Sequence, residues 1–252
     1  MKKGKLFYAF SQVPFEKLGD DTVIVSSHVD FLKETKECFS DTSGENEIIG
    51  TYDNSATNAV ITELMIHEKL SENTLVVFTG DEEEESGGAE EVAEFTEHLG
   101  IDAKCIVLDV TEEGYNNASF TIENAYCSDA MLEKVIKWMV GQDEDYFFVP
   151  AEEWQKTCKP VKEMIPKEFV SPNCSEADES GDYSNEDIDS ISFCLPTKLM
   201  DPKGIYAPKN SGAMHSSKGL MIKKEAVRRY TAALCNLIRT CFAPEDYKNR
   251  EM

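Results

Sequence analysis

The feature of this sequence that most constrains its fold is an alternation between short apolar runs and amphipathic segments. Runs rich in β-branched residues predict buried strands, and segments with apolar residues on one helical face predict helices. The predicted strands cover residues 22–27, 75–78, 105–110, 119–122 and 190–195. The predicted helices cover residues 55–70, 88–99, 128–140 and 220–241. This order predicts a three-layer α/β/α fold in which a mainly parallel, mixed central sheet lies between helices.

The domain organisation follows from the absence of sequence repeats and linkers. Neither divides residues 1–252, so the sequence predicts a single catalytic domain. Residues 151–189 break the alternation because they are rich in proline, glutamate, aspartate and serine. Long irregular segments in compact domains are usually functional or disordered. We therefore expect a long acidic loop here that overhangs a functional site.

Charge limits the classes of partner. The chain has 48 acidic and 25 basic residues, a formal net charge of −23. This balance argues against nucleic acids and anionic membranes as partners, and it leaves cation binding open beside ordinary solubilising charge. No apolar run reaches the length of a signal-peptide core or a membrane span, so we expect a cytoplasmic protein. The eight cysteines form no CxxC pair, which favours reduced core cysteines.

Polar side chains recur where the predicted strands end and where helices begin. They are His28, Asp30, Asp53, Glu82, Glu83, Asp109 and His215. Open α/β sheets place ligand sites at the carboxyl ends of their strands. Imidazole and carboxylate groups are ligands that suit zinc, and a carboxylate can bridge two such ions. Taken singly, each residue is a weak signal and is better explained as a turn, a cap or another structural position. The metal-site hypothesis depends on the whole series.

The histidines outside the series serve as a contrast. His67 and His98 lie near the ends of predicted helices, and we assign both to structural or exposed positions. Asp30 follows His28 by two residues, so both side chains lie on the same side of an extended strand. This spacing allows Asp30 to orient the imidazole of His28 without binding the metal itself.

The order of these motifs resembles the co-catalytic zinc aminopeptidases of the leucyl and glutamyl types. The matching motifs are HxD after a strand, DN before a helix, EE before a glycine-rich turn, LDVT, and MHS before the last helix. The resemblance implies a two-zinc site in which cobalt or manganese are alternatives to zinc. The resemblance implies that Asp53 bridges both metals. It implies that His28 and Asp109 complete one metal site and that Glu83 and His215 complete the other. It also implies that Glu82 is the general base and that Asp30 orients His28.

Two details of the resemblance stay open. Counted back along the sequence from Gly88 and Ala89, the spacing of the family's motif favours Glu82 and Glu83 as the glutamate pair. If this chain has one residue fewer than the motif, the pair is Glu83 and Glu84 instead. The family also has a polar residue close to substrate near its penultimate strand. Asp178 and Asp182 are the nearest candidates here, and a solvated acidic loop explains both equally well.

The resemblance implies a hydrolase that removes N-terminal residues from peptides, with Glu82 acting on the water that bridges the metals. Other hydrolases on the same scaffold are alternatives: a dipeptidase, a carboxypeptidase or a deacylase acting on a small amide. A degenerate homologue that binds metal without turnover is a further alternative. The sequence does not determine the substrate side chain, the native metal or the oligomeric state.

Overall fold

The largest element of the fold is an eight-stranded sheet. The structure is a computed structural model that describes residues 2–31, 38, 40–83, 87–176, 178–200 and 219–244. The strands of this sheet are β1 (Lys2–Lys3), β2 (Phe7–Ser11), β3 (Val23–His28), β6 (Thr74–Thr79), β7 (Lys104–Thr111), β8 (Phe120–Glu123), β9 (Tyr146–Phe148) and β10 (Ser190–Pro196). A smaller sheet of four strands contains β4 (Ser40–Asp41), β5 (Glu47–Gly50), β11 (Lys198–Leu199) and β12 (Leu220–Lys223).

The large sheet is mixed, with a parallel centre. Its order is β1-β2-β6-β3-β7-β10-β8-β9. Strands β6, β3, β7 and β10 run parallel to one another, whereas β2 and β8 run antiparallel to the central strands beside them. Parallel strands buried on both faces have nearly continuous apolar sequences, which explains why these strands were predictable. The predicted fold class is confirmed.

Helices cover both faces of this sheet. They are α1 (Ser55–Ile66), α2 (Gly87–Leu99), α3 (Asp129–Val140), α4 (Lys159–Met164), α5 (Glu179–Asn185) and α6 (Lys224–Leu237), which continues as a π-helical turn over Ile238–Phe242. Helices α1, α3 and α6 contribute to the larger hydrophobic core on one face, and α2 and α5 to the smaller core on the other. No helix in the described ranges combines the length and the apolarity needed to cross a membrane.

Strand β7 shows how alternation builds the two cores. Ile106 and Leu108 belong to the larger core, whereas Cys105 and Val107 belong to the smaller one. Successive side chains of a strand point to opposite faces. Asp109 continues the row of Cys105 and Val107, so it lies on the face that α2 and α5 cover.

Two segments differ from their predicted structure. Residues 151–189 contain α4, α5 and two short 3₁₀ turns, where the sequence predicts a long loop. Tyr183 of α5 is fully buried in the smaller core, so this one aromatic side chain packs an otherwise polar helix against the sheet. Leu220–Lys223 was predicted as the start of the last helix and instead forms β12, because it pairs with β5. Local sequence patterns do not report such distant partners.

Candidate metal centre

His28 is the last residue of β3 and only 2% of its surface is exposed. It pairs in register with Thr79, the last residue of β6. On the other side of β3 lies β7, which carries Asp109 two residues before its end. Because parallel strands end at the same edge of the sheet, His28 and Asp109 meet at this carboxyl edge.

Asp53 joins them from the turn before α1. Asn54 donates a hydrogen bond from Nδ2 to the carbonyl of Leu108 (2.6 Å), and Asn58 donates from Nδ2 to the carbonyl of His28 (2.7 Å). These two hydrogen bonds connect the start of α1 to β7 and β3. Asn54 occupies the cap position of α1, but its side chain makes no capping bond. The peptide bond between Asp53 and Asn54 is cis.

The distances around His28 fit a divalent cation. Its Nε2 atom lies 3.3 Å from Oδ1 of Asp53 and 3.9 Å from Oδ1 of Asp109. Ligand atoms about 2.0–2.2 Å from a tetrahedral zinc ion are roughly 3.3 Å from each other. The two buried ring nitrogens of His28 form no hydrogen bond with a described residue. His28, Asp53 and Asp109 therefore form a candidate metal-binding group, and their imidazole and carboxylate donors suit zinc.

The acidic run after β6 supplies a second, overlapping group. His28, Glu82 and Glu83 also offer ligand atoms close enough to hold one ion, and Oε2 of Glu82 lies 3.9 Å from Nε2 of His28. Both glutamates are thus near the site. His215 and Glu84 lie outside the described residues, so the second metal site and the choice of glutamate pair stay predictions.

Asp30 links the two groups. Its Oδ1 atom lies 3.6 Å from Nδ1 of His28, and its Oδ2 atom accepts a hydrogen bond from the backbone N–H of Glu83 (3.1 Å). Burial alone would raise the pKa of Asp30, but His28 and the Glu83 N–H lower it. Asp30 therefore contacts both the predicted histidine ligand and the predicted glutamate ligand.

Four carboxylates surround the imidazole of His28 in the candidate metal centre. Burial opposes protonation of His28, but Asp109, Asp30 and Asp53 raise its pKa well above the usual value. Burial, with Asp109, Glu179 and Glu83, raises the pKa of Glu82 to about 8, although His28 opposes this. Burial also raises the pKa of Asp109 to about 6, supported by Asp53. A bound divalent cation would offset this concentration of negative charge.

The remaining predicted residues lie elsewhere. Asp178 caps α5 and accepts a hydrogen bond from the Ser180 N–H (2.9 Å), and Asp182 is a half-buried residue of the same helix. His67 and His98 are exposed, as predicted, and His67 lies 3.0 Å from Glu63. Sequence reasoning missed Glu179, a buried acid next to Asp178, because it lies within a uniformly polar stretch.

Comparison with known proteins gives a structural likeness only. No protein-family model and no curated protein matches the sequence. A TET aminopeptidase from a marine sediment archaeon of the Thaumarchaeota is 12% identical, with a TM-score of 0.56, over 84% of this chain and 54% of that chain. The Legionella pneumophila aminopeptidase LapA is 14% identical, with a TM-score of 0.52, over 89% and 51%. An Aneurinibacillus aminopeptidase is 12% identical, with a TM-score of 0.52, over 95% and 48%.

These neighbours define the class of fold. All three are aminopeptidases, and this chain spans about half the length of each. At such low identity the likeness establishes the α/β architecture and does not distinguish the leucyl from the glutamyl type. The chain thus combines a fold that aminopeptidases use with a candidate metal-binding group at the carboxyl edge of its sheet.

Proposed function

We propose that this chain carries the active site of a metal-dependent peptidase, and specifically of a two-zinc aminopeptidase. The observation that carries the proposal is the position of His28. Its Nε2 atom is buried among the carboxylates of Asp53, Asp109 and Glu82, at the edge where this fold places its ligands. A buried imidazole among acids, with no hydrogen bond to a described residue, is the environment expected of a metal ligand.

The ligand roles follow from these contacts and from the sequence resemblance. His28, Asp53 and Asp109 would hold one ion, and Asp53 would also reach a second ion held by Glu83 and His215. When bound, such ions lower the pKa of a water molecule and polarise the carbonyl of the scissile bond. Asp30, next to Nδ1 of His28, would keep a proton on that nitrogen and leave Nε2 free as a donor.

Glu82 is our candidate for the general base. It would accept a proton from the attacking water and return it to the amine that leaves. Its neighbour Glu83 is held differently, since its backbone N–H is bound to Asp30. Two successive residues in a turn point in different directions, so one glutamate can contact a metal while the other faces the water.

The charge of the site favours an aminopeptidase over a carboxypeptidase. The strongest electrostatic influences on Glu82 and Asp109 come from other carboxylates and from His28. A peptide with a free N-terminus brings a positive ammonium group to this region, whereas a free C-terminus brings a carboxylate that these acids repel. We therefore infer that the substrate is recognised by its amine.

Metal quantification on the purified protein tests the proposed cofactor. After dialysis against zinc and removal of the excess, we expect two ions per chain by mass spectrometry. One ion per chain would support the group of His28, Asp53 and Asp109 alone. No bound ion after zinc supplementation would contradict the proposal.

Matched peptides test the reaction. We expect cleavage of a peptide with a free N-terminus and no cleavage of the same peptide with an acetylated N-terminus. Amidation of the C-terminus should have little effect. Cleavage of the acetylated peptide, combined with loss of cleavage on amidation, would indicate a carboxypeptidase instead.

A further inference from the structure

Glu179 is a buried acid to which the proposed mechanism gives no role. It belongs to the first turn of α5, and only 1% of its surface is exposed. Asp53, Glu123 and Asp109, the other buried acids in the described ranges, are exposed by 5%, 7% and 9%. Ionised groups are rarely buried so completely unless they are paired with an opposite charge. The position of Glu179 therefore needs an explanation.

Hydrogen bonds connect Glu179 to the strand that ends at His28. Its Oε2 atom accepts a hydrogen bond from the Ser26 hydroxyl (3.1 Å), and Ser26 Oγ accepts one from the Tyr183 hydroxyl (3.0 Å). Ser26 precedes His28 by two residues, so both side chains lie on the same face of β3. Thr79, which pairs with His28, also lies close enough to lower the pKa of Glu179. Glu179 is thus hydrogen-bonded to the strand that ends at the candidate metal ligand His28.

Glu179 also interacts with the site through its charge. Its Oε1 atom is buried and forms no hydrogen bond to a described residue. Burial raises the pKa of Glu179 to about 7, and among charged groups His28 is the largest influence that opposes this. The negative charge of Glu179 also raises the pKa of Glu82. Glu179, His28 and Glu82 therefore interact electrostatically although α5 and the acidic run are far apart in the chain.

We propose that Glu179 is a positioning residue of the metal centre, which fixes the His28 end of β3 through Ser26 and contributes a negative charge that increases the affinity for cations. This inference rests on the proposed metal-dependent function. Side chains that contact metal ligands without touching the metal typically change metal affinity or activity by about 10–100-fold when they are replaced. Glu179 acts one residue further out, through Ser26, so we expect an effect near the lower end of this range. Gln would fit the site of Glu179 more easily than an ionised acid, so an acid here is unfavourable for stability alone.

The test compares Glu179→Gln with the wild-type chain. We expect zinc to bind about 10-fold more weakly, measured by competition with a chromogenic chelator. We also expect kcat to fall with KM nearly unchanged, because Glu179 does not contact substrate. In the absence of metal, Glu179→Gln should unfold at an equal or higher urea concentration, because a neutral amide replaces a buried acid.

Two further variants separate charge from packing. Glu179→Asp keeps the charge and should retain more zinc affinity than Glu179→Gln. Glu186→Gln removes the same charge from an exposed position at the end of the same helix, and should bind zinc like the wild type. If Glu179→Gln does not fold, Ser26→Ala provides the measurement, since it breaks the link to Glu179 and should also weaken zinc binding.

The outcomes distinguish this inference from the proposed function. Unchanged zinc affinity and kcat in Glu179→Gln and in Ser26→Ala would overturn the role of Glu179 alone. Equal losses in Glu179→Asp and Glu179→Gln would also overturn it, because shape rather than charge would then matter. A wild-type chain that binds zinc but hydrolyses no peptide would contradict the proposed function and leave the affinity comparison valid.

Discussion

The two ends of the central sheet are both acidic, but they bury their acids to different degrees. At the carboxyl edge, Asp53 and Asp109 are buried around His28. At the amino edge, a groove of about 530 Å³ is bordered by five exposed acids: Asp20, Glu97, Asp102, Glu186 and Asp187. Hydrated carboxylates at a surface repel each other weakly because water and salt screen them. Buried carboxylates are not screened in this way, so they favour a bound cation.

This comparison explains why the net charge of −23 is a poor guide to function. Most acids among the described residues lie on the surface, where they contribute to solubility. The acids that we assign to function are buried, as Asp53 and Asp109 are, or half-buried beside them, as Asp30, Glu82 and Glu83 are. The predictions below test whether burial, rather than the number of acids, determines where metal binds.

The largest effect is expected for His28→Ala. This variant removes the donor that both candidate metal-binding groups share. We expect loss of at least the ion held by His28, Asp53 and Asp109, and loss of peptidase activity beyond the roughly 10–100-fold change caused by residues that only contact ligands. Metal analysis and circular dichroism on the same sample measure the ion and the fold. His98→Ala, which replaces an exposed histidine near the end of α2, is the matched control and should retain both. Full zinc content in His28→Ala would exclude His28 as a ligand.

Glu82→Gln should separate catalysis from binding at the same edge. Gln keeps the shape of the side chain but cannot accept the proton, so we expect activity to fall by about 10²–10⁴-fold while zinc remains bound. Kinetic assays and metal analysis of Glu82→Gln and Glu83→Gln together show which glutamate is the base and which is the metal ligand. Loss of zinc in Glu83→Gln supports Glu82 as base and Glu83 as ligand. Retained zinc with lost activity in Glu83→Gln would instead select Glu83 and Glu84 as the pair.

Buried acids should also make the metal-free chain sensitive to pH. Burial raises the pKa values of four carboxyl groups: Glu82 to about 8, Glu123 to about 8, Glu179 to about 7 and Asp109 to about 6. In the unfolded chain such groups have pKa values near about 4. Between these values the folded state binds more protons than the unfolded state, so stability falls as pH rises. The pKa of His28 is raised as well, so its loss of a proton also lowers the stability of the folded state as pH rises.

Urea unfolding in the presence of a chelator measures this effect. We expect the free energy of unfolding to decrease from about pH 5 to about pH 8. Zinc should reverse the loss, because a ligand that binds only the folded state at 100 times its Kd stabilises by about 2.7 kcal/mol. Stability that rises with pH in the metal-free chain would show that the carboxyl edge is hydrated like the amino edge.

The central parallel strands of the sheet were predictable, and their shared direction determines which strand ends lie at the carboxyl edge. The run at 105–110 predicts a strand that the structure extends only to Lys104–Thr111. Once parallel strands are recognised, residues that follow them must converge on one edge. His28 and Asp109 therefore could be assigned to one edge before the structure was known, whereas Asp53, which lies in the turn before α1, was assigned to the same metal site through the sequence resemblance.

Glu179 and β12 could not be predicted in the same way. The partner of Glu179, Ser26, is 153 residues away, and the neighbours of Glu179 give no apolar pattern that indicates burial. β12 becomes a strand through pairing with β5 rather than through its own sequence. In both cases the structure depends on a distant contact, which local propensity does not record.

The smallest effect is expected for the double variant Glu97→Gln, Asp187→Asn at the amino edge. Both side chains are exposed, and asparagine tolerates the positive φ of 60° at Asp187. Strand β7 has eight residues, so the two edges are roughly 25 Å apart at about 3.3 Å per residue. This distance is about three times the screening length of about 8 Å at physiological salt. We expect zinc affinity to be unchanged and the free energy of unfolding to change by less than about 0.5 kcal/mol. A loss of zinc affinity equal to that of Glu179→Gln, measured with the same chelator, would mean that total charge rather than burial controls metal binding.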